Sequence, residues 1–155
     1  MLKPPPAGWP RLSPGLYYRD PAAAIDWLCA AFGFEVRLKV EGEGGSIVHS
    51  ELSYGDALVM VGGDHTPADD PKYAFKRVQT SPARIDGRNT IGLLMYVDDV
   101  DAHCARARAH GAVIFDEPST HDYGDDYWCD RSYGAWDCEG HGWWFSQRLR
   151  DEPAR

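Results

Sequence analysis

Apolar and polar positions along this chain switch between two periods, and they do so twice. Leu16, Tyr17 and Tyr18 sit in a stretch from Ser13 to Arg19 that predicts a strand. Asp20-Pro21 follows as a helix cap and first turn, where the missing N–H of proline costs nothing. Ile25, Leu28, Cys29 and Phe32 then recur at i, i+3, i+4 and i+7, an apolar helix face that Gly33 ends. Three strands are expected next, at Phe34–Glu41, Ile47–Tyr54 and Ala57–Gly62. Gly42-Glu43-Gly44-Gly45 and the tight Gly55-Asp56 turn separate them. A second round begins at Leu94-Met95-Tyr96-Val97-Asp98, where Asp98 stands 78 residues after Asp20 and Gly111 stands 78 after Gly33. Its strand is Ile91–Val97, and its helix is capped at Asp98-Asp99 and turns Val100, Cys104 and Ala107 inward. Further strands are expected at Ala112–Phe115, Arg131–Trp136 and Gly142–Gln147, with a polar loop over Thr120–Asp130 and a turn at Asp137-Cys138-Glu139-Gly140.

Each round is a β-α-β-β-β unit that needs the other to bury its apolar face. The expected fold is therefore α+β, two tandem βαβββ units, each with a curved, mostly antiparallel sheet. A Pro-rich segment over 1–12 precedes a single domain over 13–147, made of a unit at 13–62, a linker at 63–90 and a unit at 91–147. Within the linker, Asp64, Pro67, Asp69, Asp70, Pro71, Ser81, Pro82 and Gly87 break any period, with one short helical turn expected at Tyr73–Val78. The charged tail over 148–155 is expected to fray.

Composition narrows the function classes. A formal charge of −8 argues against a nucleic-acid partner, which needs a basic face. Apolar runs are too short to span a bilayer, so no membrane association is expected. The opening Met1-Leu2-Lys3-Pro4-Pro5-Pro6 lacks the apolar core of a secretion signal. With four cysteines and no export signal, a reducing cytoplasm is the expected setting. Six Trp and eight Tyr are many for 155 residues, and such rings line pockets for flat organic ligands as readily as they fill cores.

Three stretches carry a family resemblance: Ala24-Ile25-Asp26-Trp27-Leu28 with Phe32-Gly33-Phe34, Tyr96-Val97-Asp98-Asp99-Val100-Asp101-Ala102, and Asp137-Cys138-Glu139-Gly140-His141-Gly142-Trp143. Together they resemble the vicinal oxygen chelate superfamily of glyoxalases, bleomycin-resistance proteins and extradiol dioxygenases, with Cys138 where the ending motif D-P-x-G-H-x-W has proline. The resemblance implies half-barrel sheets around a cavity, a homodimer and, in many members, a metal held by four strand positions. Those positions fall on Ser13, near Met60, on Gly92 and on Trp144, which do not make a divalent-metal set. No cofactor is therefore expected, and glyoxalase or dioxygenase chemistry through a metal at that place is not.

Candidate residues follow from strand alternation. Tyr17, Leu94, Tyr96 and Trp144 are expected to line the cavity, with Gly15 and Gly92 on the same faces. Arg131 and Tyr133 share a face of the seventh strand, where a guanidinium either binds a ligand anion or pairs with one of the chain's own acids. His49 and Glu51 share a face of the third strand and are either a proton-transfer pair or an ordinary polar pair. His121, Cys129, Cys138 and His141 lack zinc-site spacing, so His141 reads as a turn anchor, and Cys29 and Cys104 read as core thiols. Tyr123-Gly124-Asp125-Asp126-Tyr127-Trp128 is either a lid or rim packing. Two functions stay open: a metal-free cavity binding a small planar or aromatic compound, and a glyoxalase-like lyase or isomerase using a displaced divalent metal or the His49–Glu51 pair. A scaffold that has kept only the fold is a third.

Overall fold

Two four-stranded sheets back onto one shared core in the computed structural model, which describes residues 1–64 and 71–153. The first unit runs β1 (Gly15–Tyr18), α1 (Pro21–Phe32), β2 (Glu35–Glu41), β3 (Ile47–Tyr54) and β4 (Ala57–Gly63). The second runs β5 (Leu93–Tyr96), α2 (Val100–Ala109), β6 (Val113–Asp122), β7 (Cys129–Trp136) and β8 (Gly142–Arg150). Strand orders are β1-β4-β3-β2 and β5-β8-β7-β6. Among the described residues only the β1–β4 and β5–β8 pairs are parallel, because in each unit the helix carries the chain across before the last strand returns beside the first.

The caps act as their residues predict. The Asp20 carboxylate accepts from the Ala23 N–H at 3.0 Å, and Gly33 closes α1 at φ 79°. In the second unit Asp99 alone is the cap, accepting from the Ala102 N–H at 2.9 Å. The repeat therefore runs at an offset of one residue more than Asp98 implied over the strand and cap. Leu94–Val97 and Gly15–Tyr18 share the same exposed–buried alternation, and the shorter α2 restores the original spacing by Gly111.

Three expectations are revised. β6 and β7 extend into the stretch read as a loop, through the pairs Ser119↔Ser132, Thr120↔Arg131, His121↔Asp130 and Asp122↔Cys129. β8 continues through Arg148 to Arg150, paired with Asp130 and Cys129, so the tail does not fray there. Polar side chains dominate both segments, with Leu149 and Cys129 as isolated apolar positions, which hides strand periodicity while the backbone ladder still forms. In the linker, 3₁₀ turns form at Pro71–Val78 and Pro82–Arg84. Pro67, Asp69 and Asp70, and the last two residues of the tail, lie outside the described residues.

Neither unit buries its own helix alone. Phe32 of α1 packs edge-on against Phe145 and Trp143 of β8, with ring centroids 4.7 and 5.5 Å away. Leu28, Val61, Val100 and Tyr133 belong to the same core. At its centre His103 of α2 bridges three elements. Its Nε2–H donates to the Phe32 carbonyl at 2.9 Å, and its Nδ1 accepts the Tyr133 hydroxyl at 2.6 Å, a tautomer assigned from those partners.

The Asp137–His141 turn is the second link between units. Asp137 Oδ2 accepts from the Tyr18 hydroxyl at 2.6 Å and from Trp143 Nε1 at 3.2 Å, while Oδ1 accepts the N–H groups of Glu139 and His141. Burial opposes the charge of Asp137, yet His141 and the Tyr18 phenol outweigh it and keep the pKa below the ordinary carboxylate value. Glu139 accepts the Arg19 and Asp20 N–H groups at 2.8 and 3.0 Å, placing a carboxylate at the start of α1. Among the described residues no helix is long and apolar enough to cross a membrane.

Candidate functional site

Both helices and the shared core lie against one face of each sheet, which leaves the opposite faces open. Leu52, Val59 and Val61 turn into the core, so His49, Glu51, Met60 and Gly62 turn outward on β3 and β4. Leu38 and Val40 continue this face onto β2, opposite Glu51 and His49. A cleft of about 430 Å³ opens here, lined by Tyr17, His49, Met60 and, from the first 3₁₀ turn, Phe75 and Lys76. Glu51 is only 6% exposed. One of its oxygens lies 2.9 Å from His49 Nε2 and the other pairs with Arg37, whose guanidinium stacks on Trp9 of the N-terminal segment.

The open face of the second sheet is aromatic. Phe115, Trp136 and Trp144 are 38, 36 and 38% exposed and form one patch, with the Phe115 centroid 4.5 Å from Trp136 and 5.4 Å from Trp144. Glycine makes this possible. A Cβ on Gly134, the partner of Trp144 across β7–β8, would stand 2.1 Å from the Phe115 ring, and one on Gly142 would stand 2.9 Å from Trp136. Rings thus lie on bare backbone rather than on side chains. Leu94, paired with Trp144, and Tyr96 extend the patch. At its edge Arg148 bonds Asp130 and the Tyr96 hydroxyl, each at 2.6 Å, and lies over the Tyr96 and Trp128 rings.

The structure places Tyr17, His49 and Glu51 on one open face and Leu94, Tyr96 and Trp144 on the other. Arg131 and Tyr133 do not join them. Gly134 occupies the open-face position of β7, so its neighbour Tyr133 points inward, is 0% exposed and stacks on Phe145. Arg131 shares that inner side and makes two 2.8 Å bonds to Asp101 of α2, which consumes its charge within the chain. The Tyr123–Trp128 run forms the tip of the β6–β7 hairpin, where Tyr123 and Trp128 pack on each other and Trp128 meets Arg148 at the rim. His121 bonds Ser119, His141 contacts Asp137, and among the described residues no three metal-binding side chains gather.

Phe115 and Trp136 were missed as site residues. Their signal was the register of β6 on β7, which the sequence does not contain. The positions that would hold a metal in this architecture are the outward pairs Gly15↔Met60 and Leu94↔Trp144, with Ser13 and Gly92 just before their strands. The side chains of glycine, leucine and tryptophan offer no lone pair to a divalent cation, methionine offers only a soft thioether, and the buried, unpartnered Ser13 hydroxyl is a single neutral donor, so the residues present do not supply the imidazole and carboxylate set that the metal needs.

A family model described as the Glyoxalase/Bleomycin resistance protein/Dioxygenase superfamily matches residues 12–145. Uncharacterized proteins of Mycobacterium bovis and Mycobacterium tuberculosis are 30% identical over 142 residues, covering 92% of this chain and 86% and 76% of theirs. The crystal structure of TioX from Micromonospora sp. ML1 superposes with a TM-score of 0.65 at 30% identity, covering 89% of this chain and 95% of that one. A glyoxalase/bleomycin resistance protein/dioxygenase family enzyme from Burkholderia phytofirmans shares the fold, with a TM-score of 0.62, 17% identity and coverage of 88% and 97%.

Proposed function

The chain belongs to the Glyoxalase/Bleomycin resistance protein/Dioxygenase superfamily, and from that premise we propose that it is a cytoplasmic binding protein that sequesters a small planar or aromatic compound in a metal-free cup. The patch of Phe115, Trp136 and Trp144, held on Gly134 and Gly142 with about a third of each ring uncovered, carries this reading. Flat rings fixed on a rigid sheet gain stacking contact with a planar ligand at little cost in ordering.

A second copy of the chain completes the cup. Leu38 and Val40 on one sheet and Leu94, Phe115 and Trp144 on the other are large apolar side chains on open faces. Contiguous apolar faces of this kind mark association surfaces, and two distinct open faces on one chain are satisfied by a twofold dimer in which each meets the other. Light scattering is expected to show a dimer.

Tryptophan fluorescence tests the function. Titration with daunorubicin and with 2-naphthoate is expected to give saturable quenching with Kd below about 1 mM, weakened at least tenfold in Trp144→Ala. No response to either compound at about 1 mM overturns the reading.

One observation supports a second reading, a lyase or isomerase working through acid–base chemistry. His49 opens onto the first-sheet cleft with Glu51 2.9 Å from its Nε2, the arrangement a proton shuttle needs. Glu51→Gln separates the two: it leaves quenching intact in a binder and abolishes turnover in an enzyme. Stoichiometric divalent metal in the purified protein, at a place other than the four family positions, favours the enzyme.

A further inference from the structure

A second cavity adjoins the first-sheet cleft, sharing Gly15, Tyr17 and Gln79 with it, and lies between the linker and the turn that precedes β8. It encloses about 290 Å³, and its lining includes His141, Arg88, Thr90, Val78, Ile85 and Ile91. His141 Nδ1 lies 3.2 Å from the Asp137 carboxylate. The shape of that turn does not depend on the imidazole, since Asp137 already holds it through the N–H groups of Glu139 and His141. In the neutral ring, with the Nδ1–H directed at Asp137, Nε2 carries the free lone pair. Among the described residues it has no partner, and it is not one of the side-chain atoms sealed from solvent without one. Arg88 is exposed, and its guanidinium is likewise without a partner among the described residues, in a chain carrying 24 acidic side chains.

We propose that this cavity binds a small aliphatic hydroxy acid, its carboxylate on Arg88, its hydroxyl donating to His141 Nε2 and its hydrocarbon body against Val78, Ile85 and Ile91. An unpaired guanidinium supplies a bidentate carboxylate site. An imidazole fixed by a buried carboxylate supplies one oriented acceptor, and apolar walls supply the rest of the contact. This site is independent of the aromatic patch, so either proposal stands or falls without the other.

The test uses the full chain labelled with ¹⁵N-histidine and titrated with 2-hydroxyisocaproate, following the His141 ring signals by NMR. Saturable shifts are expected, with Kd below about 10 mM. The affinity should weaken at least tenfold in Arg88→Gln, an exposed position whose fold is checked by circular dichroism. Trp144→Ala should leave it unchanged. Isocaproate, which lacks the hydroxyl, should bind more weakly than 2-hydroxyisocaproate. Absence of a saturable shift, undiminished affinity in Arg88→Gln, or equal affinity for the two acids overturns the proposal.

Discussion

The phenol of Tyr18 donates a 2.6 Å hydrogen bond to Asp137, a residue 119 positions later in the chain, and so ties β1 of the first unit to the turn before β8 of the second. Tyr18 is fully buried, and desolvation, then the Asp137 charge, raise its pKa well above that of a free tyrosine. A raised phenol and a lowered carboxyl both favour a bond from phenol to carboxylate. Tyr18→Phe leaves a buried carboxylate short of one donor and is expected to cost about 1–3 kcal/mol, measured by urea denaturation. A loss within error would mean that water replaces the phenol.

His103 predicts a pH dependence. Burial, the largest effect, lowers its pKa from 6.5; its bond to the Phe32 carbonyl opposes this in part, and the nearby Arg106 charge adds a lesser lowering. A depressed folded-state value means that the unfolded chain binds the proton more readily. Stability should thus be full above about pH 6.5 and decline as pH falls below it toward the folded-state value. Melting temperatures recorded from pH 8 down to about pH 5 should show this decline in the native chain and a shallower one in His103→Gln. Equal slopes in both proteins would remove His103 as the cause.

The glycine beneath the aromatic patch is open to a direct test. Gly134→Ala puts a methyl group 2.1 Å from the Phe115 ring, which must leave its seat. The expected cost is about 1–3 kcal/mol in stability, with loss of the fluorescence response to 2-naphthoate. Retained binding would show that the patch is not the ligand platform.

Arg131→Gln serves as the contrast. Its ion pair with Asp101 is a surface contact between β7 and α2 on the helix side of the sheet. Replacing it is expected to leave both the melting temperature and naphthoate binding essentially unchanged. A large loss of binding would return Arg131 to the cavity.

Element order was readable because local chemistry marks it. Asp20-Pro21, Gly33, Gly55-Asp56 and Gly111 punctuate the chain at helix caps and hairpins, and those signals need no tertiary contact. What the sequence hid depends on partners far away. The end of β8 is held by cross-strand pairs to Asp130 and Cys129 rather than by its own apolar alternation. The inward turn of Tyr133 follows from the register that sets Gly134 opposite Trp144, and one residue of register reverses every side chain on a strand. Phe115 joins the patch because Gly134 has no side chain, so the informative residue at that spot is one that shows nothing. His103 was hidden for a related reason: a polar side chain on the apolar stripe of α2 becomes a core residue only when Tyr133 and the Phe32 carbonyl meet both its nitrogens.

Glu139 reaches back from the last turn of the chain to the first two backbone amides before α1, and Ser81 of the connecting segment bonds the same carboxylate. The halves are thus clasped by contacts at their surfaces as well as tethered by covalent linkage. The tether chiefly raises the local concentration of one half around the other. Nicking the connecting segment should therefore yield two peptides that stay together on a sizing column, and separately expressed halves should reassemble when mixed.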